Sequence, residues 1–476
     1  MTFSRRQFLT SLVVTPAIAQ RRSPNVVLIL IDDYGWTDTG YNGSSFYETP
    51  NIDKLARSGM VFTNAYSASP VCSPTRSAIM TGKYPARLRI TAHLQGATNR
   101  FHFSKVLPPN ARLELPLEEV TIAELLREQG YRTACIGKWH LGKQGFLPSN
   151  QGFDVSLAGD EAGSTNNFFY PQWKKKIPLE GKPGDYLTDR LTDLAVDFIS
   201  QNKDKPFFLY LPHFAVHTPI EGKPEKVAKY DAKSKPGNPQ NYGEYAAMIE
   251  SMDESVGRVL EALKESGVED NTVVLFASDN GGVNSLEWKG RPVTSNLPLR
   301  QGKGHLYEGG IRVPTIVRWP GMTKAGSRSD EVVVAYDYAP TIAEIVGVPE
   351  AKLSVMDGLS ITSLLKGGAK LKRTANYWHY PHYSPQLGRP SAAMRQGDYK
   401  LILFFEDNRT ELYNLKHDIG EAKNLAGLQP AKTLGMRKQL EDWLKRTGAQ
   451  LPVANPNYNP SRELELGSPE GPTTAK

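Results

Sequence analysis

Cysteine is nearly missing from this chain: Cys72 and Cys135 are the only two in 476 residues. Two thiols build no disulfide framework, and their spacing fits no zinc pattern, although they could pair with each other in an oxidising compartment. No apolar run approaches the ~20 residues needed to span a bilayer. Charge of one sign is also scarce as a block. The 57 Lys and Arg stand against 50 Asp and Glu, and no basic run interleaved with aromatics marks a nucleic-acid surface. No internal repeat is visible, so a solenoid is excluded. What remains is 39% hydrophobic and 22% charged, the composition of a globular protein with a sizeable core.

The first residues read MTFSRRQFLTSLVVTPAIAQ. Arg5 and Arg6 precede a short apolar run that ends in Ala17-Ile18-Ala19, a small-x-small cleavage signal. The paired arginines predict a twin-arginine address, and hence a periplasmic or secreted bacterial protein with a signal peptide over 1–19. Cleavage there removes two arginines and no acid, leaving a mildly basic chain that permits anionic ligands.

Four segments share one grammar: a short β-branched or aromatic run breaking into chemically capable residues. They are NVVLILIDDYG (25–35), YRTACIGKWHLG (131–142), PFFLYLPHFAVHTP (206–219) and NTVVLFASDNGG (271–282). Continuous apolar runs of this kind suit parallel strands buried on both faces. Helical spacing lies between them, in VTIAELLREQG (120–130) with a Thr121/Glu124 capping box, in 186–202 and in 245–267. The fold class is therefore α/β: a large, mostly parallel or mixed sheet flanked by helices, with a smaller C-terminal antiparallel α+β domain. That smaller domain is predicted from three short strands over 392–418 and a helix over about 430–446. We place the large domain at 24–372, the small one at 373–452, and an irregular tail at 453–476.

In open α/β sheets ligands bind outside the carboxyl ends of the strands. At that edge the four runs deliver Asp32 and Asp33, Lys138 and His140, His213 and His217, and Asp279 and Asn280. Asp32, Asp33, Asp279 and Asn280 offer only oxygen ligands, which select Ca²⁺, or Mg²⁺, over softer metals. Cys72 stands in VCSPTRSAIMTGKYPAR (71–87). Ser73 as N-cap and Pro74 in the first turn predict a helix start there. That leaves Cys72 at the positive helix end with Arg76 four residues on, a place for phosphate or sulfate. A redox-silent cysteine near a helix cap fits the same position.

Cys72-Ser73-Pro74-Thr75-Arg76, followed by SAIMTGKYP, resembles the signature of the type I sulfatases, members of the alkaline phosphatase superfamily. NVVLILIDDYG is similar to that family's first metal-binding strand, GKWHLG to its Lys/His motif, ASDNGG to its second metal-ligand pair, and RQGKGHLYEGGIRVP (300–314) to the segment carrying another active-site lysine. GDYKLILF and ELYNLKHD extend the resemblance into the C-terminal domain. It implies that Cys72 is oxidised to formylglycine by a formylglycine-generating enzyme before folding. It further implies a geminal diol at position 72 that binds the metal beside Asp32, Asp33, Asp279 and Asn280, with Asp279 as proton acceptor. Arg76, Lys138 and Lys303 would face sulfate oxygens, His217 (with Lys303) would protonate the leaving oxygen, and His140 would deprotonate the second hydroxyl to expel sulfate. His213 is placed against the substrate or in the core. The expected substrate is a sulfated small molecule or glycan, with no nucleic-acid partner and no membrane span. A phosphonate or phosphate monoester hydrolase and a non-catalytic sulfated-glycan binder remain the alternatives. The loops 87–103, with His93, Arg100 and His102, and 168–186, rich in aromatic and basic residues, could contact a sugar or face solvent. Cys135, inside a strand, reads as core.

Overall fold

The structure, a computed structural model, describes residues 23–94, 101–234, 237–285, 289–463 and 465. The expected signal segment 1–19 and Arg100 lie outside them. Eight strands form the main sheet: β1 (Asn25–Ile31), β2 (Met60–Phe62), β3 (Arg132–Ile136), β4 (Val155–Leu157), β5 (Phe207–Pro212), β6 (Thr272–Ser278), β7 (Thr315–Arg318) and β8 (Ser327–Ser329). Their order across the sheet is β8-β2-β7-β6-β1-β5-β3-β4. The run β6-β1-β5-β3-β4 is parallel throughout, and β7 lies antiparallel to both of its neighbours. The carboxyl ends of β6, β1, β5 and β3 therefore sit side by side.

The central strand explains why its sequence is apolar without alternation. Val26, Leu28 and Leu30 enter one core, while Val27, Ile29 and Ile31 enter another on the opposite face. The first core is closed by α2 (Cys72–Thr81), α3 (Ile122–Glu128) and α6 (Tyr338–Val346). The second is closed by α1 (Pro50–Ser58), α4 (Leu187–Asn202) and α5 (Gly243–Glu265). The α3 start has the expected capping box: Thr121 Oγ1 accepts from Glu124 N, and the Glu124 carboxylate accepts from Thr121 N. Among the described residues no helix is long and apolar enough to cross a membrane.

The C-terminal part is an antiparallel meander of β9 (Asn376–Tyr380), β10 (Ser391–Gln396), β11 (Tyr399–Phe404) and β12 (Thr410–Asn414). One face carries α7 (Pro430–Arg446) through Met436, Leu440 and Trp443. The other face gives Trp378, Tyr380, Ile402 and Phe404 to the first core of the main sheet, so the two parts share apolar interior. The meander has one strand more than the three expected, because β9 precedes them. The tail also differs from a wholly irregular segment: Val453-Ala454 pairs antiparallel with Val106-Leu107, and Asn455 Nδ2 donates to the carbonyls of His102 and Ser104.

A buried ionic cluster fastens the seam. Lys400, on β11, lies 2.9 Å from Glu308 Oε1 and 3.0 Å from Glu421 Oε1, and all three side chains are fully buried. Glu308 N donates to Glu421 Oε2, while Tyr66 and Arg312 donate to Glu308 Oε2. Burial alone would raise Glu308, but Lys400, Arg312 and Arg395 hold it down to about 2. Burial, joined by the charge on Glu308, pushes Glu421 up to about 7 despite Lys400. One carboxylate thus keeps its charge and the other resists ionising.

Candidate active site

Beyond β1, Asp32 and Asp33 follow directly, and Asp33 holds a left-handed backbone at φ 58°. His140, beyond β3, does the same at φ 57°. Non-glycine residues in that region carry strain that the surrounding fold must maintain, and here both belong to the cluster at the strand ends. Asp279 and Asn280 follow β6. Asp33 N donates to Asp279 Oδ1 at 3.2 Å, and Asn280 Nδ2 donates to Asp33 Oδ1 at 2.7 Å.

Three buried cations sit against these carboxylates. Lys138 Nζ lies 2.6 Å from Asp32 Oδ2, Lys303 Nζ lies 2.8 Å from Asp33 Oδ2, and Arg76 grips Asp279 Oδ2 through Nε at 2.9 Å and Nη2 at 2.7 Å. Arg76 Nη1 also donates to the Lys138 carbonyl. Arg76 is fully buried and, like Lys138, does not line the cleft above. Its Nε and Nη1 are spent on Asp279 and backbone, while Nη2, though close to Asp279 Oδ2, has no hydrogen-bond partner.

Cys72 is the first residue of α2, with Val71 as N-cap. Ser73 is therefore not the cap; it lies in the first turn, where its Oγ accepts from Leu94 N. Cys72 Sγ stands 3.3 Å from His140 Nδ1, and His140 Nε2 lies 3.1 Å from the Leu94 carbonyl. A carbonyl can only accept, so Nε2 carries the proton and Nδ1 turns its lone pair toward residue 72. Burial and the nearby Lys138 charge hold His140 well below the ordinary imidazole range, which keeps it neutral with Nδ1 free to accept. Gly163 makes room for this ring: a Cβ there would approach His140 Cε1 to 2.5 Å. Burial raises the Cys72 thiol, so as a thiol it is a poor nucleophile.

The donor set suits a hard cation. Asp32 Oδ1 and Asn280 Oδ1 are buried without a hydrogen-bond donor, and each such acceptor costs about 1–3 kcal/mol unless something satisfies it. Burial pushes Asp32 up to about 8 even with Lys138 beside it. In Asp33 the same burial is outweighed by Lys303, His217 and Lys138, which hold it well below the usual range. Ligand atoms of Asp32, Asp33 and His217 lie within 4.8 Å of one another. Asp279 stands outside that trio, with one oxygen turned to Arg76.

A cleft of about 230 Å³ opens over Cys72, His140, His217 and Lys303. His213 is not part of it. Its Nε2 meets Ser255 Oγ on α5 at 3.1 Å and it is fully buried, so the substrate-facing placement is corrected to a core one: leaving β5, the side chain points into the helix layer, and the turn to His217 comes only afterwards. Burial lowers His213 to about 4. The structure thus brings together Asp32, Asp33, Cys72, Arg76, Lys138, His140, His217, Asp279, Asn280 and Lys303, and leaves out His213. Sequence reasoning missed Ser164 and Gln386 on the cleft wall; neither carries a local signal. Of the two loops left open, His93 and Lys176 reach the cleft, whereas His102 does not line it. Phe168, Trp173 and Tyr186 are buried in the second core.

A family model described as Sulfatase matches residues 24–348, and one described as N-sulphoglucosamine sulphohydrolase, C-terminal, matches 301–450. A sulfatase of Formosa agariphila is 34% identical, over 94% of this chain and 96% of its own. The N-acetylgalactosamine-6-sulfatase of Mus musculus is 32% identical, over 85% and 76%. A crystal structure of Ps i-CgsB in complex with k-i-k-neocarrahexaose superposes with TM-score 0.75 at 32% identity, covering 92% of this chain and 95% of that one.

Proposed function

Because the chain belongs to the sulfatase family of sulfuric ester hydrolases, we propose that it is an exported enzyme removing sulfate monoesters from a carbohydrate, with residue 72 acting as formylglycine. The carbohydrate rests on relatives that are named for sulfated sugars or bound to a carrageenan fragment. Export rests on the Arg5-Arg6 and Ala17-Ile18-Ala19 signals. We assign the large domain to 24–372 and the small one to 373–452.

Asp32, Asp33, Asp279 and Asn280 would hold a divalent cation, Ca²⁺ or Mg²⁺. Bound there, it would supply Lewis-acid charge to an anion entering the cleft. The residues of the chain divide the remaining work. Arg76 orients Asp279 and Lys138 orients Asp32, so both act from beneath. Lys303, lining the cleft, is placed to hold a sulfate oxygen and to donate to the departing alcohol. His217 faces the same space, but burial and the Lys303 charge lower it to about 3. Its Nδ1 proton goes to the Thr218 carbonyl, so it can share that role only after taking up a proton with the substrate anion. One hydroxyl of hydrated formylglycine, giving its proton to Asp279, attacks sulfur. The bond from sulfur to the ester oxygen breaks, and the alcohol leaves with a proton from Lys303. His140 Nδ1 then takes the proton of the other hydroxyl, the carbon–oxygen bond to sulfate breaks, and the aldehyde returns to be hydrated again.

The observation that carries this reading is the pairing of a neutral, correctly protonated His140 with the side chain of residue 72. A base there has no use beside an inert thiol, but it is what a diol requires to release sulfate. Mass analysis of the tryptic peptide containing residue 72, in protein from its native host, should show thiol-to-aldehyde conversion; an unmodified thiol rejects the nucleophile. Turnover of an aryl sulfate, an aryl phosphate and a panel of defined sulfated sugars should favour sulfate, and equal or better phosphate turnover would move the assignment to a phosphate or phosphonate monoester hydrolase.

A further inference from the structure

Two lysines line the cleft. Lys303 is matched by Asp33. Lys176 follows the short helical turn Gln172–Lys175, held in place by the buried side chains of Trp173 and Ile177. Its Nζ donates to Ser164 Oγ at 2.9 Å, and among the described residues no carboxylate is ion-paired with it. Burial, together with repulsion from Lys138, lowers its affinity for a proton, and the nearby Asp160 charge offsets this only in part. A half-buried ammonium with no ion-paired carboxylate is a ready partner for an anion entering the cleft. Arg76, Lys138 and Lys303 are each spent on a carboxylate of the strand-end cluster, whereas Lys176 and Ser164 stand on the cleft wall, beside the Gly163 that backs the His140 ring.

We propose that Lys176 and Ser164 form a second anion subsite, taking a sulfate ester or a carboxylate that the substrate carries beyond the sulfate being removed. The inference rests on the sulfatase reading for the first anion, while the second site has its own readout. Substrates with two negative groups are then preferred over singly sulfated ones, because an ammonium and a hydroxyl together satisfy one oxyanion with charge-assisted bonds.

Crystals of the purified protein soaked in sodium selenate should show two selenates, one beside residue 72 and one on Lys176 Nζ and Ser164 Oγ. In Lys176→Met only the first should remain. A single selenate beside residue 72 in the unsubstituted protein overturns the subsite. No selenate at residue 72, together with no sulfate turnover, overturns the sulfatase reading and leaves the second site to be judged by its own density. A kinetic arm separates the anion types, using N-acetylgalactosamine 6-sulfate, the same sugar with a second sulfate, and the same sugar linked to glucuronate. Lys176→Met should lower kcat/KM on the doubly charged probe that uses the site about tenfold more than on the singly charged one, and Lys176→Arg should restore the difference. Equal loss on all three would mean that Lys176 holds the scissile sulfate, and loss on none would remove its role; either result overturns the proposal.

Discussion

Glu421→Gln isolates the seam between the main sheet and the meander. Glu421 is fully buried and its acid form is favoured by the fold, with the pKa pushed from 4.5 to about 7. A carboxyl raised in this way contributes its full stability below the unfolded value of 4.5 and loses it as pH rises through about 7. Glu308 is shifted in the opposite direction: its contribution is present above 4.5 and is lost only as pH falls toward about 2, so it stays constant at neutral pH. Going from 4.5 to about 7, at ~1.4 kcal/mol per tenfold in proton affinity, is worth about 3 kcal/mol in all, of which about 2–3 kcal/mol falls between pH 5 and pH 8. Glutamine keeps an acceptor for Glu308 N and does not titrate. Urea unfolding followed by tryptophan fluorescence at several pH values should therefore show the wild-type chain losing about 2–3 kcal/mol relative to Glu421→Gln over that interval. Parallel stability profiles, or divergence in the other direction, would refute the raised affinity of Glu421 for its proton.

Three further outcomes are expected. Arg76→Met leaves Asp279 without its partner in the interior and should cost about 3–5 kcal/mol in chemical denaturation, with turnover reduced by two or more orders of magnitude; unchanged stability would contradict the buried pairing. His213→Ala should lower stability by about 1–3 kcal/mol, through a cavity and the lost bond to Ser255 Oγ, which keeps only Thr192, while kcat/KM on a sulfate ester stays roughly constant; a selective loss of activity would return His213 to the substrate. Removing divalent cations by dialysis against a chelator should lower both the unfolding temperature and turnover, and added Ca²⁺ or Mg²⁺ should restore them; indifference to the chelator would reject the metal site.

The strands were legible because burial on both faces writes itself as an unbroken apolar run, as in Val26–Ile31, and each run breaks where the site begins. Legible for the same reason were Asp32, Asp33, Lys138, His140, Asp279 and Asn280, all within a few residues of a strand end. His213 and His217 could not be told apart by position, since both follow β5 and only the path of the turn separates core from cleft. The β9 strand hid behind NYWHYPHY, whose histidines and tyrosines look solvent-facing; in the fold Trp378 and Tyr380 are core and His379 Nε2 meets the Gln450 carbonyl. Ser164, Lys176 and Gln386 come from connecting segments whose positions depend on what they pack against, which no local pattern encodes.

The burial of Cys72 also sets an order in time. Its side chain is walled by His140, His217 and Lys303, and the Lys303 segment is fastened in turn by Lys400 and Glu421 through Glu308. Every one of these walls lies later in the chain. At ~5–20 residues per second, roughly 10–50 s separate synthesis of residue 72 from synthesis of residue 303. On the formylglycine proposal, that interval is when a modifying enzyme would reach the CSPTR segment, before the later walls and the meander close over it. A variant whose later walls close sooner would then be less often converted.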